Sequence, residues 1–151
     1  MIDRYMMSRL IDLWLAEDIG AGDLTSQTMI DAEARATFAM NARQAMIVAG
    51  VGVSAAVFKH YDPSLDVAVK VADGERVAPK TVLLTVSGSA RSMLTAERTA
   101  LNIIQHMSGI ATETARYAEV IAGTRAKLID TRKTTPGLRV LEKHAVICGG
   151  G

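Results

Sequence analysis

"LIDTRKTTPGLRVLEKHAVICGGG", Leu128 to Gly151, is the stretch whose reading decides the fold. With Ala126 and Lys127 before it, a short apolar run reads as a largely buried strand; a polar loop follows, then a helical pattern that runs into three glycines. Strand, loop and helix make one βα unit, and parallel α/β sheets place ligands at the carboxyl ends of their strands. Thr131 to Gly137 take that position. Arg132 offers a planar fork that grips a carboxylate or phosphate with two bonds, and Lys133 a compact charge for a phosphate oxygen. Thr131, Thr134 and Thr135 add hydroxyl donors, while Pro136-Gly137 stiffens the turn. The same residues also suit a solvated turn, and the segment by itself leaves both readings open.

Upstream, "SMLTAERTALNIIQHMSG" carries Met93, Ala96, Ala100, Ile103 and Met107 as a helical stripe ended by Gly109. "IATETARYAEVIAG" reads as a second helix ending at Gly123. The rhythm is that of a βα barrel or a doubly wound sheet. Earlier still, "ARATFAMNAR" alternates Ala36, Phe38 and Met40 with more polar neighbours, and "QAMIVAG" is a short apolar run; both read as strands of one sheet. "VSAAVFKHY" has helical spacing and stops before Pro63. "LDVAVKVADGERV" alternates through Leu65, Val67, Val69 and Val71 to an Asp73-Gly74 turn, and "TVLLTVSGSA" adds a β-branched strand. Strand, strand, helix, strand, strand describes an α+β sandwich with helices on one face of its sheet. The expected architecture is an α+β N-terminal open sandwich domain over 1–110, followed by the start of an α/β (TIM-like) barrel over 111–151.

The N-terminal "MIDRYMMSRLIDLWLAED" reads as an amphipathic helix with Met6, Leu10, Leu13 and Trp14 on one face, and "DIGAGDLTSQT" as a connector. Early charges and the lack of an unbroken apolar core argue against a signal peptide. No run approaches the ~18 apolar residues of a membrane span. With 49% apolar residues in a 151-residue chain, a real core is expected. Lys plus Arg number 17 against 16 Asp plus Glu, so no global basic field exists for nucleic acid or an anionic membrane, and any anion site must be local. Cys148, the sole cysteine, excludes an internal disulfide and reads as a small buried side chain. A soluble, cytoplasmic chain is expected.

Other residues carry weaker signals. Arg98 reads either as a solvated cation or as the partner of a carboxylate one turn away. His106 reads as a core or interface imidazole, and His60 and His144 as helix-surface residues. No carboxylate or cysteine stands at ligand spacing from the three histidines, so no metal site is expected. Gly20 to Gly22 lack the strand, glycine loop, helix order of a dinucleotide site. The terminal glycines could line a phosphate.

"AERTALNIIQHMSGIAT" and "DTRKTTPGLRVLEKHAVICGGG" together closely resemble the quinolinate phosphoribosyltransferase family, the carboxylating nicotinate-nucleotide pyrophosphorylases, and "EDIGAGDLTS" looks like that family's opening. The resemblance covers essentially all 151 residues. Family members run to nearly twice this length and continue past such a glycine stretch with an Asn-His-Arg motif and the rest of the barrel. The resemblance implies transfer of a phosphoribosyl group from PRPP (5-phosphoribosyl 1-pyrophosphate) to quinolinate. Mg²⁺ is bound with PRPP; nicotinate mononucleotide, pyrophosphate and CO2 are the products, on the way to NAD. It further implies that Thr131, Arg132 and Lys133 bind substrate, with Arg132 on the quinolinate carboxylates and Lys133 on phosphate or carboxylate oxygens, both acting in catalysis. It also implies a homodimer or higher homo-oligomer in which Arg98 reaches the neighbouring subunit's barrel. The 151-residue chain alone is expected to be inactive.

Two alternatives stand beside this one. A paralogue associated with molybdenum transport shares the fold, but "ERTALN" and the full "DTRKTTPGLR" favour the quinolinate enzyme. "VADGERVAPKTVLLTVSG" faintly resembles the strand-turn pattern of a biotinyl or lipoyl carrier, a non-catalytic module, yet Asp73-Gly74 holds the turn where a carrier presents its lysine.

Overall fold

A computed structural model describes residues 4–151. Met1–Asp3, the first residues of the expected N-terminal helix, lie outside the described residues. The element order is α1 (Arg4–Ile19), α2 (Leu24–Met29), β1 (Arg35–Asn41), β2 (Met46–Ile47), α3 (Val51–Tyr61), β3 (Asp66–Val69), β4 (Arg76–Val77), β5 (Val82–Ser89), α4 (Ala90–Ile121) and α5 (Arg139–Cys148).

The central sheet is antiparallel, in the order β1-β5-β3. Its register follows from alternation: Phe38 lies opposite Val86 and Met40 opposite Leu84 on the inner face, while Thr37 and Ser87 meet on the outer face through a 2.9 Å hydroxyl bond. Val67 pairs with Val86 from the other side. The inner face closes on α3 and α4 through a core that includes Leu65, Leu84, Val86, Met93, Ala96 and Ala100. Arg35, Thr37 and Ala39 on the other face of β1 stay exposed. One sheet with helices on one face is the open sandwich that the patterning predicts.

Several expectations are corrected. β2 does not join the main sheet; it pairs with β4 in a separate two-stranded ribbon, Met46 opposite Val77. An apolar run cannot reveal which edge it will meet. The expected connector turns helical from Leu24, because Asp23 caps α2 by accepting the Ser26 N–H at 3.0 Å. In α1 the buried face is Ile11 and Leu15, with Met7 and Trp14 packed against the core, whereas Leu13 is 66% exposed. "LIDLWL" is apolar on nearly every side, so packing chooses the face.

Two expected helices, ended at Gly109 and Gly123, are one 32-residue helix, α4, running unbroken through Gly109. At 1.5 Å per residue it spans about 48 Å. A lone glycine costs a helix only ~1 kcal/mol, and continuous packing outweighs that. The stripe continues through Met107, Ala111 and Ala115 into a second core with Ile47, Ala49, Leu141 and Ala145, which docks α5. Ser108 Oγ accepts the Ala49 N–H at 3.1 Å and donates to its carbonyl, while Thr112 Oγ1 accepts the Ile47 N–H at 2.9 Å. "SGIAT" thus hydrogen-bonds the backbone of β2 and the residues after it, satisfying donors that the short ribbon leaves open.

"AKLID" is not a strand: residues 125–130 have no ladder partner, and Ile129 is 80% exposed. Strand conformation is stabilised by a neighbour, and no parallel strand flanks this segment among the described residues. The helix expected after Leu138 is present as α5.

Candidate functional site

The segment from Thr131 to Arg139 is held from behind and open in front. Leu138 N–H donates to Thr135 O at 3.0 Å, closing a turn with Pro136 second and Gly137 third; Gly137 has φ 83°, the positive value that a type II turn places at that position. Thr131 Oγ1 accepts the Lys133 N–H at 3.1 Å. Arg139 donates from Nε to Thr134 Oγ1 at 3.1 Å and from its terminal nitrogen to the Arg132 carbonyl at 3.4 Å. Asp130, at the entry to the loop, pairs with Lys143 of α5. One of the segment's three cations therefore secures the backbone. The Arg132 and Lys133 side chains are both exposed, with no hydrogen-bond or ion-pair partner among the described residues.

Behind the loop, Glu142 ties it to α4. Its Oε2 accepts the Thr135 N–H at 3.1 Å and its Oε1 lies 3.0 Å from His106 Nε2. Burial pushes the Glu142 carboxyl up, but the Thr135 bonds and the His106 contact outweigh it and hold the group below its ordinary value. His106 is thus the interface imidazole expected. Gly149, at the other end of α5, sits so close to α4 that a methyl group there would land on the Ala111 carbonyl and 2.6 Å from Thr114 Cβ. That glycine permits the close packing of α5 on α4.

Arg98 lies on α4 and is joined to the 131–139 segment by no hydrogen bond or ion pair among the described residues. Its side chain is 73% exposed and its guanidinium reaches Asp18 Oδ1 at 3.2 Å, so its partner comes from α1 and not from a neighbouring turn of its own helix. Asp23 stands close by, its carboxyl held below the ordinary range by its bonds from Ser26, then by Thr95 and the Arg98 charge, against a smaller upward push from burial. These groups line a cleft of about 260 Å³ with Ile19, Thr25 and Leu94. An exposed pair of this kind is worth only ~0–1 kcal/mol, so an incoming anion can take Arg98 from Asp18.

Against known families, the quinolinate phosphoribosyl transferase N-terminal domain matches residues 23–108 and the C-terminal domain of the same family matches residues 110–151. The chain belongs to the quinolinate phosphoribosyl transferase family. The "probable nicotinate-nucleotide pyrophosphorylase [carboxylating]" of Synechocystis sp. is 44% identical over 137 residues, covering 91% of this chain and 46% of that protein. The enzyme of the same name from Mycobacterium leprae is 45% identical over 140 residues, 91% of this chain and 49% of its own length. Among solved structures, NadC from Streptococcus pyogenes superposes with a TM-score of 0.95 at 37% identity, covering all of this chain and 54% of that one. The chain therefore has the sandwich domain and the beginning of the barrel of this family, and spans about half the length of the relatives it matches.

His60 and His144 lie on helices and are partly exposed, as expected, and each meets a carboxylate: His60 Nε2 lies 2.6 Å from Asp12 Oδ1 and His144 Nε2 lies 2.8 Å from Asp73 Oδ2. One sequence reading needs correction: the expectation that no carboxylate or cysteine stands at ligand spacing fails, since Asp73, His144 and Cys148 bring ligand atoms within 4.8 Å of one another. His144 and Cys148 are four apart on one helix, a spacing visible in the sequence; Asp73, 71 residues away, was not. Lys80 lies in a turn fixed by its N–H to Ala42 O at 2.7 Å, and not at a hairpin tip as a carrier lysine would. For Mg²⁺, which takes oxygen ligands in octahedral geometry, the 128–139 segment offers one carboxylate, Asp130, and that is paired with Lys143. The residues present do not build a Mg²⁺ cage.

Proposed function

We propose that the full-length protein transfers the phosphoribosyl group of PRPP to the ring nitrogen of quinolinate, releasing pyrophosphate and CO2 and forming nicotinate mononucleotide for NAD synthesis. The observation that carries this reading is the pair of unpartnered cations, Arg132 and Lys133, on a loop whose backbone is already held by Arg139, Glu142 and Thr131. Quinolinate brings two carboxylates and PRPP several phosphate charges, and preorganised cations lower the cost of gathering them. Arg132 suits a carboxylate by its fork, Lys133 suits carboxylate or phosphate oxygens as a point charge, and the Thr131 hydroxyl lies beside them. As pyrophosphate departs, the sugar becomes oxocarbenium-like, and cations held against the leaving oxygens stabilise that state more than the ground state. In this reading Mg²⁺ enters with the PRPP diphosphate, since a single lysine-paired carboxylate is a poor octahedral site.

Arg98 enters the proposal from a second subunit. It is exposed, loosely held by Asp18, and not joined to the 131–139 loop of its own chain, so a homodimer that brings it to a neighbour's barrel gives it a substrate to meet. The division into a sandwich over 1–110 and a barrel portion over 111–151, and a cytoplasmic setting, belong to the same proposal; no helix among the described residues is long and apolar enough to cross a membrane.

The test is a coupled assay of nicotinate mononucleotide formation from quinolinate and PRPP. In a full-length protein, Arg132→Ala is expected to lower kcat/KM by about a hundredfold or more, equivalent to ~3 kcal/mol of lost transition-state stabilisation. An unchanged kcat/KM for quinolinate overturns the assignment. The 151-residue chain by itself is expected to form no product; product from the pure chain refutes the claim that further walls are needed.

A further inference from the structure

Cys148 and His144 project from the same face of α5, one turn apart, with Sγ 3.5 Å from His144 Nε2. Asp73 comes from the turn between β3 and β4 and places Oδ2 2.8 Å from the same nitrogen. Its other oxygen, Oδ1, accepts the Val51 N–H at 3.0 Å, the first backbone donor of α3, where Gly50 supplies no side-chain cap. That second bond fixes the carboxylate plane, the role played by outer hydrogen bonds around metal ligands.

We propose that Asp73, His144 and Cys148 form a binding site for a thiophilic divalent transition-metal ion of the Zn²⁺ type. The donor set is one thiolate, one imidazole and one carboxylate, which suits Zn²⁺ and not Mg²⁺ or Ca²⁺. Ligand bonds of about 2.3 Å to sulfur and 2.05 Å to nitrogen set the sulfur-to-nitrogen edge of a tetrahedron at about 3.5 Å. The observed separation is 3.5 Å, so the two α5 ligands already stand at the required span. The matching nitrogen-to-oxygen edge is about 3.3 Å, so the carboxylate must back away by about half an ångström from its present hydrogen bond. Three protein ligands leave the fourth position to water. The side chains of Asp73 and His144 are 25% and 42% exposed, which leaves a path for the ion. Binding displaces the thiol proton of Cys148 to solvent and moves the imidazole proton from Nε2 to Nδ1. Burial and the Asp73 charge hold that thiol up in the free site, so the ion itself must drive its ionisation. The consequence is mechanical: the ion ties the β3–β4 turn of the sandwich to α5, the helix whose first turn anchors the Arg132 loop.

Co²⁺, which reports its ligands by colour, tests this in the chelator-treated, reduced protein. The expected result is one Co²⁺ per chain with a thiolate-to-cobalt charge-transfer band and strong visible bands of tetrahedral type, displaced by Zn²⁺, and a Tm raised by Zn²⁺. Cys148→Ser is expected to abolish the charge-transfer band and the Zn²⁺-dependent rise in Tm. Asp73→Asn keeps an oxygen for Val51 but loses the anion, and is expected to weaken binding at least ~10-fold. A protein without the band, or a band that survives in Cys148→Ser, overturns the proposal. So does a Zn²⁺-dependent Tm rise of equal size in all three proteins, which assigns the ion to another place.

Discussion

The sandwich core and the 122–138 segment are built on opposite principles. β5 is paired on both sides, and Leu84, Val86 and Leu65 are buried against helices. Residues 122–138 have no regular element, and their order comes from a few side chains reaching back: Arg139, Glu142 and Lys143. The first region spends its side chains on packing. The second leaves Arg132 and Lys133 unspent, which makes it the candidate site. Packing and unpaired charge are thereby divided between regions, and a mutation should change stability strongly in the first and weakly in the second.

The sharpest break of that contrast is Leu84→Ala. It removes a side chain 1% exposed from the central strand and is expected to cost about 2–5 kcal/mol in urea unfolding, whereas Arg132→Ala, exposed and unpartnered, should stay within ~0.5 kcal/mol of the parent. A large loss of stability from Arg132→Ala would erase the distinction. Gly149→Ala probes the seam between the regions: overpacking against the Ala111 carbonyl should cost about 1–3 kcal/mol and, by shifting α5, disturb the loop it anchors. Next come the two proline turns. Pro136-Gly137 has glycine at its positive φ, but Pro79-Lys80 has a lysine at φ 72°. Lys80→Gly is therefore expected to relieve strain and stabilise the chain by about 1 kcal/mol, read as a small rise in Tm.

The smallest effect is on acid stability. Glu142 has its folded pKa held below the ordinary value of 4.5. Its contribution is fully present above that value and is lost as pH falls through the depressed one. Urea unfolding should show stability declining below about pH 4.5, with Glu142→Gln flattening part of the decline. An identical pH profile in the variant means that the strut between Thr135 and His106 does not hold the loop.

Much of this was legible early, and the exceptions share one cause. Alternation marked β1 and β5, Pro63 the end of α3, and the Met93-to-Met107 stripe the buried side of α4, because each depends on neighbours along the chain. The pairing of β2 with β4, the choice of Ile11 over Leu13 as the buried side of α1, and the continuity of α4 through Gly109 depend on what lies across the core. In the candidate site, Arg132 and Lys133 stood out as cations beside a proline turn. Glu142, Arg139 and Asp18 did not, since a charged residue on a helix gives no sign of whether it faces water or a loop.

By itself the sequence determined an open α+β sandwich leading into a barrel, the membership in its family, and the cluster of cations after Asp130. Only the tertiary structure decided that Arg98 rests on Asp18, that "SGIAT" satisfies the backbone around β2, and that Asp73 meets His144 and Cys148. Local periodicity and turn chemistry act within a few residues and are written in the order of the chain. Contacts across 59 to 80 positions are selected by shape and hydrogen-bond satisfaction at the moment of packing.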